Sequence, residues 1–296
     1  MKDAFSGLHP AVSFAYFAAV LTLTMLYMHP LLLILSLIGS AVYVSILKGV
    51  RHFAKTLLYL VPFLILMSLI NALFNHGGVT PLFYLSNGNA ITREALTFGF
   101  FASMMFCAVI LWFDCFNAVM SSDKLLFLFG RLSPSLSLLL SMSLRLVPKL
   151  GRKIRSIDAA RSQIGRGSAQ GGFFTRVKNS MNVLSVTLTW ALESSVTAAN
   201  SMKSRGYGAA RRTSFSLYKF ELRDGITLAV CTLAAGVTVA CVLGGGIYAR
   251  YYPSVIISGF GGASASGTAA FALLCFAPQL FDAKEALVWR RLRSAI

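Results

Sequence analysis

The sequence predicts an all-α polytopic membrane protein. It should have about six transmembrane helices, within a range of about five to eight, and a cytoplasmic region built on a crossed pair of long amphipathic helices. Three observations predict this. Hydrophobic residues fill 56% of the 296 positions and charged residues only 12%, and mean hydropathy is +0.70, whereas a soluble globule carries about 25% charged residues. The apolar residues gather into runs close to the roughly 20 that a helix needs to cross a hydrocarbon core. The charge is lopsided, with 27 Lys and Arg against 10 Asp and Glu for a net +17. In a soluble chain that excess would suggest nucleic acid; in a membrane protein it marks the cytoplasmic side. A soluble enzyme and a disordered chain are excluded on the same composition.

The runs follow in order. Residues 11–28 form the first span, kept as a span because no A-x-A cleavage site follows it. Residues 30–47 form the second, opened by His29-Pro30, since proline at the first helical position loses an N–H that has no partner there anyway. Residues 56–75 and 95–120 are the third and fourth, and residues 225–249 and 254–281 a C-terminal pair. That last pair is rich in small residues, GGG at 244–246 and GFGGASASG at 259–267. These suit either close helix packing or a broken span. Lys48, Arg51 and Lys55 after the second span place that loop in the cytoplasm. Residues 76–94, holding only Arg93 and Glu94, lie outside. Arg250 is the one charge between the final pair, and Lys284, Arg290, Arg291 and Arg293 form a basic tail. Both termini are therefore expected in the cytoplasm.

The chain divides accordingly into N-terminal spans (1–120), a basic cytoplasmic region (121–224), and C-terminal spans with the tail (225–296). Residues 121–224 carry 17 of the 27 bases and 5 of the 10 acids, a surplus of +12. Reading the moderately apolar runs 133–148 and 180–200 as a further span pair would put Lys149, Arg152, Lys153, Arg155, Arg161, Arg166, Arg176 and Lys178 outside, against the sidedness rule.

Within this region one helix runs from about Ser141 to Arg166, with apolar positions Val147, Leu150, Ile154, Ile157 and Ile164. A second runs from about Thr175 to Arg205. Its stripe is Val177, Met181, Leu184, Leu188, Ala191, Ser195, Ala198 and Met202, at alternating steps of four and three. Ile157, Ile164 and the small Ala191, Ser195 and Ala198 are the expected packing positions of the pair. GRGSAQGG at 165–172 joins the helices. Each helix ends in arginine then glycine, Arg166-Gly167 and Arg205-Gly206, with glycine as the left-handed stop. Capping and the helix dipole explain one such end; they leave the matched pair unexplained.

These residues resemble a family. Ser162-Gln163-Ile164-Gly165-Arg166-Gly167 fits an A-Q-x-x-R-G motif, and Ser201-Met202-Lys203-Ser204-Arg205-Gly206-Tyr207 fits A-M-x-x-R-G-Y, each with serine for alanine. Ser143, Leu144, Arg145, Val147 and Pro148 fit S-L-R-x-V-P. Together they look like the transmembrane T component of energy-coupling factor (ECF) transporters, an ABC-type class of micronutrient importers in the prokaryotic cytoplasmic membrane. The motifs cover about a quarter of the chain, and the order of elements fits nearly all of it. The resemblance implies a non-catalytic coupling scaffold. Its partners would be two cytosolic ABC-type ATPase subunits and a membrane-embedded substrate-binding S component. Arg166, Gly167, Arg205, Gly206, Gln163, Met202 and Tyr207 would meet the ATPases. A guanidinium suits such a contact, because its planar fork meets carboxylates bidentately and stays charged when partly desolvated.

Other chemistry is not indicated. No P-loop is present, so ATP and Mg would belong to the partner ATPases and this chain would hold no cofactor. His9, His29, His52 and His76 are scattered, and no metal site is expected. No nucleophile motif and no D-x-x-D pair supports a membrane enzyme. A stand-alone secondary transporter or channel, the main alternative, should show polar residues deep in several spans. Asp114 is the one acid within a clear span and is expected at the interface. No contact with nucleic acid is expected.

Overall fold

The computed structural model describes residues 5–75, 77–84, 90–132, 134–208, 218–259 and 261–294. His76 lies outside them, as do the side chains of Arg290, Arg291 and Arg293. Among these residues the chain is helical almost throughout. The helices are α1 (Pro10–Leu26), α2 (Pro30–Lys48), α3 (Val50–Phe74), α4 (Arg93–Val119), α5 (Ser122–Leu132), α6 (Pro134–Gln163), α7 (Phe173–Ser204), α8 (Leu222–Leu243) and α9 (Gly262–Ser294). Two small antiparallel hairpins interrupt them: β1 (Pro81–Tyr84) with β2 (Ala90–Thr92), and β3 (Ala249–Arg250) with β4 (Ile256–Ile257). The chain divides into two compact units, Met1–Leu125 with Tyr218–Ile296, and Leu126–Leu217.

The first unit holds the membrane-spanning helices. Five described helices are long and apolar enough to cross a bilayer: α2, α3, α4, α8 and residues Gly262–Glu285 of α9. α1, at 17 residues, is apolar but shorter. Local sequence sets their starts. Proline opens α1 and α2, and His9 Nδ1 accepts the Ala11 N–H at 3.2 Å. Thr92 caps α4 by accepting the Ala95 N–H at 3.3 Å, and Glu221 with Asp224 forms a reciprocal capping box at α8. Asp224 also accepts the His9 backbone N–H at 3.1 Å, tying the first helix to the eighth.

The core of this unit is aromatic. Trp112, Tyr16, Tyr43, Phe5, Phe17 and Phe271 are fully buried. Trp112 Nε1 donates to Ser36 Oγ at 2.9 Å, and Ser36 pairs with Thr24 at 3.0 Å, so the indole of α4 is fixed to α1 and α2 by a satisfied polar network. Small residues permit the closest crossings: a Cβ added at Gly39 of α2 would lie 3.0 Å from the Cys275 Cβ of α9.

The glycine-rich stretches of the C-terminal pair resolve into two roles. Gly244 caps α8 and Gly245 takes φ +73°, so α8 ends at Leu243 and α9 begins at Gly262. Both spans are therefore shorter at that end than 225–249 and 254–281. Gly267 serves packing, since a Cβ there would lie 2.7 Å from Ile247 Cδ1 and 2.8 Å from Cys241 Cβ. Asp114 sits at the basic end of its span, where Lys48 Nζ and His52 Nε2 both reach its carboxylate, His52 at 3.1 Å.

The second unit is a helical hairpin. α6 is one 30-residue helix that absorbs the apolar run 133–148 and continues through Pro148. It starts about seven residues earlier and stops three earlier than the 141–166 expected. Neither α6 nor α7 is among the helices apolar enough to span a membrane.

Candidate functional site

The site is built from the C-terminal ends of α6 and α7 and the loop between the helices. At the end of α6 the Arg166 N–H donates to the Arg161 carbonyl at 3.0 Å, and the Gly165 N–H to Ser162 at 3.1 Å. Gly165 takes φ +73°. This pair of bonds around a left-handed glycine is a Schellman cap. At the end of α7 the Tyr207 N–H donates to Met202 at 3.1 Å and the Gly206 N–H to Lys203 at 3.0 Å, with Gly206 at φ +75°. The same device closes both helices.

The two ends are nevertheless offset. Gly206 is the left-handed stop of α7, as expected. In α6 the stop is Gly165, not Gly167. Gly167 is buried, and a Cβ there would lie 2.8 Å from Ser162 Cβ, so close approach, not backbone conformation, requires glycine. Arg166 therefore follows its stop glycine while Arg205 precedes its own, at the C-cap. Both arginines are exposed, and among the described residues neither guanidinium has a side-chain partner. Gln163 is exposed, Met202 half-buried and Tyr207 exposed.

The loop behind Arg166 is fastened by residues that sequence reading did not single out. Asp158 accepts both the Ser168 N–H and the Ser168 hydroxyl, each at 2.8 Å. These two bonds hold its carboxyl below the ordinary carboxylate range, with Arg161 adding to the effect. Gln170 Oε1 accepts the Gly167 N–H at 2.9 Å, and its Nε2 donates to the Ser162 carbonyl at 3.1 Å. The buried Asn179 amide donates to the Gly167 carbonyl at 3.1 Å, joining loop to α7. The signal available in the sequence was weak: one Asp on α6 and Ser, Gln and Asn within or just beyond a glycine-rich loop, all residues that readily bond backbone.

The seam between α6 and α7 runs along Asn179, Val183 and Thr187, all buried, then Trp190, Ala191 and Ser194, half-buried. Lys149 and Lys153 of α6 place their ammonium groups 5.0 and 5.3 Å from the Trp190 ring centre, and Lys149 reaches Ser194 Oγ at 3.3 Å. Of the expected packing positions, Ile157 and Ala191 are half-buried, while Ile164, Ser195 and Ala198 are exposed. The reason is that α7 turns its small polar residues inward. Thr187 satisfies its hydroxyl on the Val183 carbonyl at 2.7 Å, so burial costs it little. The large apolar residues of the expected stripe, Val177, Met181, Leu184 and Leu188, are exposed instead.

No family model matches the chain. Two curated relatives do, both described as "Energy-coupling factor transporter transmembrane protein EcfT". The protein of Bacillus selenitireducens is 30% identical over 106 residues, which is 36% of this chain and 40% of that protein. That of Staphylococcus aureus is 33% identical over 94 residues, 31% of this chain and 35% of the relative. The match thus spans less than half the length of either relative. Over about a third of its length, then, a chain of apolar spanning helices and a basic helical hairpin with two Arg-bearing capped ends is similar to two proteins described as EcfT.

Proposed function

We propose that the chain is the coupling subunit of an ATP-driven importer, passing the motion of two ABC-type ATPases to a membrane-embedded substrate-binding S component. The observation that carries this reading is the pair of capped helix ends that leave Arg166 and Arg205 exposed and, among the described residues, without side-chain partners. A Schellman cap satisfies the last carbonyls internally, so neither arginine is needed there and each fork is free for an acidic groove on an ATPase. Closure of the ATPases on ATP would change the separation of the two ends. α6 and α7, fastened to each other along a polar seam, would carry that change along the hairpin. The exposed apolar stripe of α7 supplies a surface for an apolar membrane partner. ATP and Mg belong, on this reading, to the ATPases, and this chain contributes no catalytic group and no cofactor. The complex sits in a prokaryotic cytoplasmic membrane with the hairpin and both termini in the cytosol.

The test is co-purification of the ATPase subunits with variants of the full chain, alongside substrate uptake. Truncating one partner of a buried charge pair costs about 2–5 kcal/mol. Arg166→Ala or Arg205→Ala alone should weaken the complex, and the double variant should lose both ATPases. Lysine should rescue poorly because it lacks the fork, and Arg152→Ala, on the exposed body of α6, should have little effect. Normal ATPase retention and uptake in the double variant would remove the reading.

A further inference from the structure

α3 is the least covered of the five spanning helices, with only 17% of its most apolar stretch buried. Along it runs a groove of about 430 Å³, shared with α4. One end of the groove is cationic. His52 and Lys55 line it there, and Arg51 stands one helical turn before Lys55 on the same flank. Arg51 and Lys55 are exposed, and among the described residues neither has a partner. Asp114, which His52 contacts, is already held by Lys48 and His52 and so is compensated. Beyond the cations the lining turns apolar, through Tyr59 and Leu60 to Phe63 with Ile110 opposite. From His52 to Phe63 is roughly 16 Å of helix rise, close to the roughly 15 Å depth of one hydrocarbon leaflet.

We propose that this groove binds one anionic phospholipid. Lys55 and Arg51 hold the phosphate, and one acyl chain lies along Leu60, Phe63 and Ile110. A cationic mouth on a lipid-deep apolar channel matches the two halves of such a molecule, and basic pockets beside spanning helices favour anionic headgroups. A zwitterionic lipid fits the channel equally but gains less from two unpaired cations. The site does not depend on any coupling role of α6 and α7.

The full chain in detergent, titrated with phosphatidylglycerol or phosphatidylcholine and read by native mass spectrometry, tests this. One phosphatidylglycerol should bind more tightly than phosphatidylcholine, by about fivefold for each of the two bases. Arg51→Ala with Lys55→Ala should abolish that preference. Ile110→Trp should fill the channel and weaken both lipids, while Leu57→Trp, about 200° round the helix from Tyr59, should leave binding unchanged. Glycerol 3-phosphate, a headgroup without chains, should not compete. No preference in the wild-type chain, a preference that survives the double variant, unchanged lipid binding in Ile110→Trp, or competition by glycerol 3-phosphate would each overturn the site.

Discussion

Asp158 fixes the position of Arg166 without touching it. Its carboxylate takes both donors of Ser168, two residues beyond the arginine, and so closes the loop that carries the guanidinium. Because those bonds hold the Asp158 pKa down, the folded carboxylate stays ionised to lower pH than in the unfolded chain. The linkage sign follows: the contribution is fully present above the ordinary carboxylate pKa of about 3.9 and is lost as pH falls through the lowered folded value. Exchange of the Ser168 amide should therefore be flat with pH, after correction for intrinsic rate, from neutral down to the ordinary carboxylate range, and should accelerate only below it. Asp158→Ala should speed that exchange at neutral pH by roughly tenfold, as expected when a charge-assisted bond is lost. Equal protection in the variant would show that Gln170 and Asn179 hold the loop alone. Glycine adds a second distinction at this scale. Gly165 and Gly206 are required by positive φ, Gly167 by contact with Ser162. The same dipeptide, Arg-Gly, thus carries its glycine for two different physical reasons, as the stop of α7 and as a close contact in the loop after α6.

At the level of elements, what the sequence made legible followed from how one-dimensional each signal was. Span positions are legible because apolar runs and the proline at 30 act locally; Pro10, which opens α1, is a start that the apolar run 11–28 does not use. The ends of α8 and α9 were misplaced because apolar composition continues through Gly244–Gly246, where only backbone conformation stops the helix. The hairpin was legible as two helices and a glycine loop, but its contact face was not. A four-three stripe reports which residues are apolar, whereas the α6–α7 seam selects for small size and a hydroxyl that can bond its own helix, as Thr187 does. Enlarging that seam should separate the helices: Thr187→Leu puts extra methyl groups into a buried contact and should destabilise the hairpin by about 1–3 kcal/mol. Leu188→Ser, at a position 60% exposed, should leave thermal stability within about 0.5 kcal/mol and, under the proposed coupling role, weaken assembly with the membrane partner. Thermal unfolding of the two purified variants separates these effects. A stable Thr187→Leu beside an unstable Leu188→Ser would place the seam on the apolar stripe after all.

For the whole molecule, the decisive quantity is where the charge lies. The positive-inside bias acts on short loops next to spans, and here it has two opposed readings to satisfy. The α2–α3 junction carries Lys48, Arg51 and Lys55, and the α6–α7 hairpin carries eight bases between residues 149 and 178, whereas the stretch around β1 and β2 holds only Arg93 with Glu94. The first two should share the cytoplasmic side and the third should face out. Single cysteines can read this directly. Cys107, Cys115, Cys231 and Cys275 are buried, and only Cys241 is half-exposed, so Cys241→Ser gives a quiet background. Ala169→Cys, exposed in the hairpin loop, should react with a membrane-impermeant maleimide only after the cells are opened. Leu82→Cys, half-exposed on β1, should react in intact cells. The two positions are a matched pair: each is the other's control for permeability and for expression. Labelling of Ala169→Cys from outside would put eight bases across the membrane and remove the hairpin from the reach of cytosolic ATPases, and labelling of both from the same side would leave an even number of crossings between them.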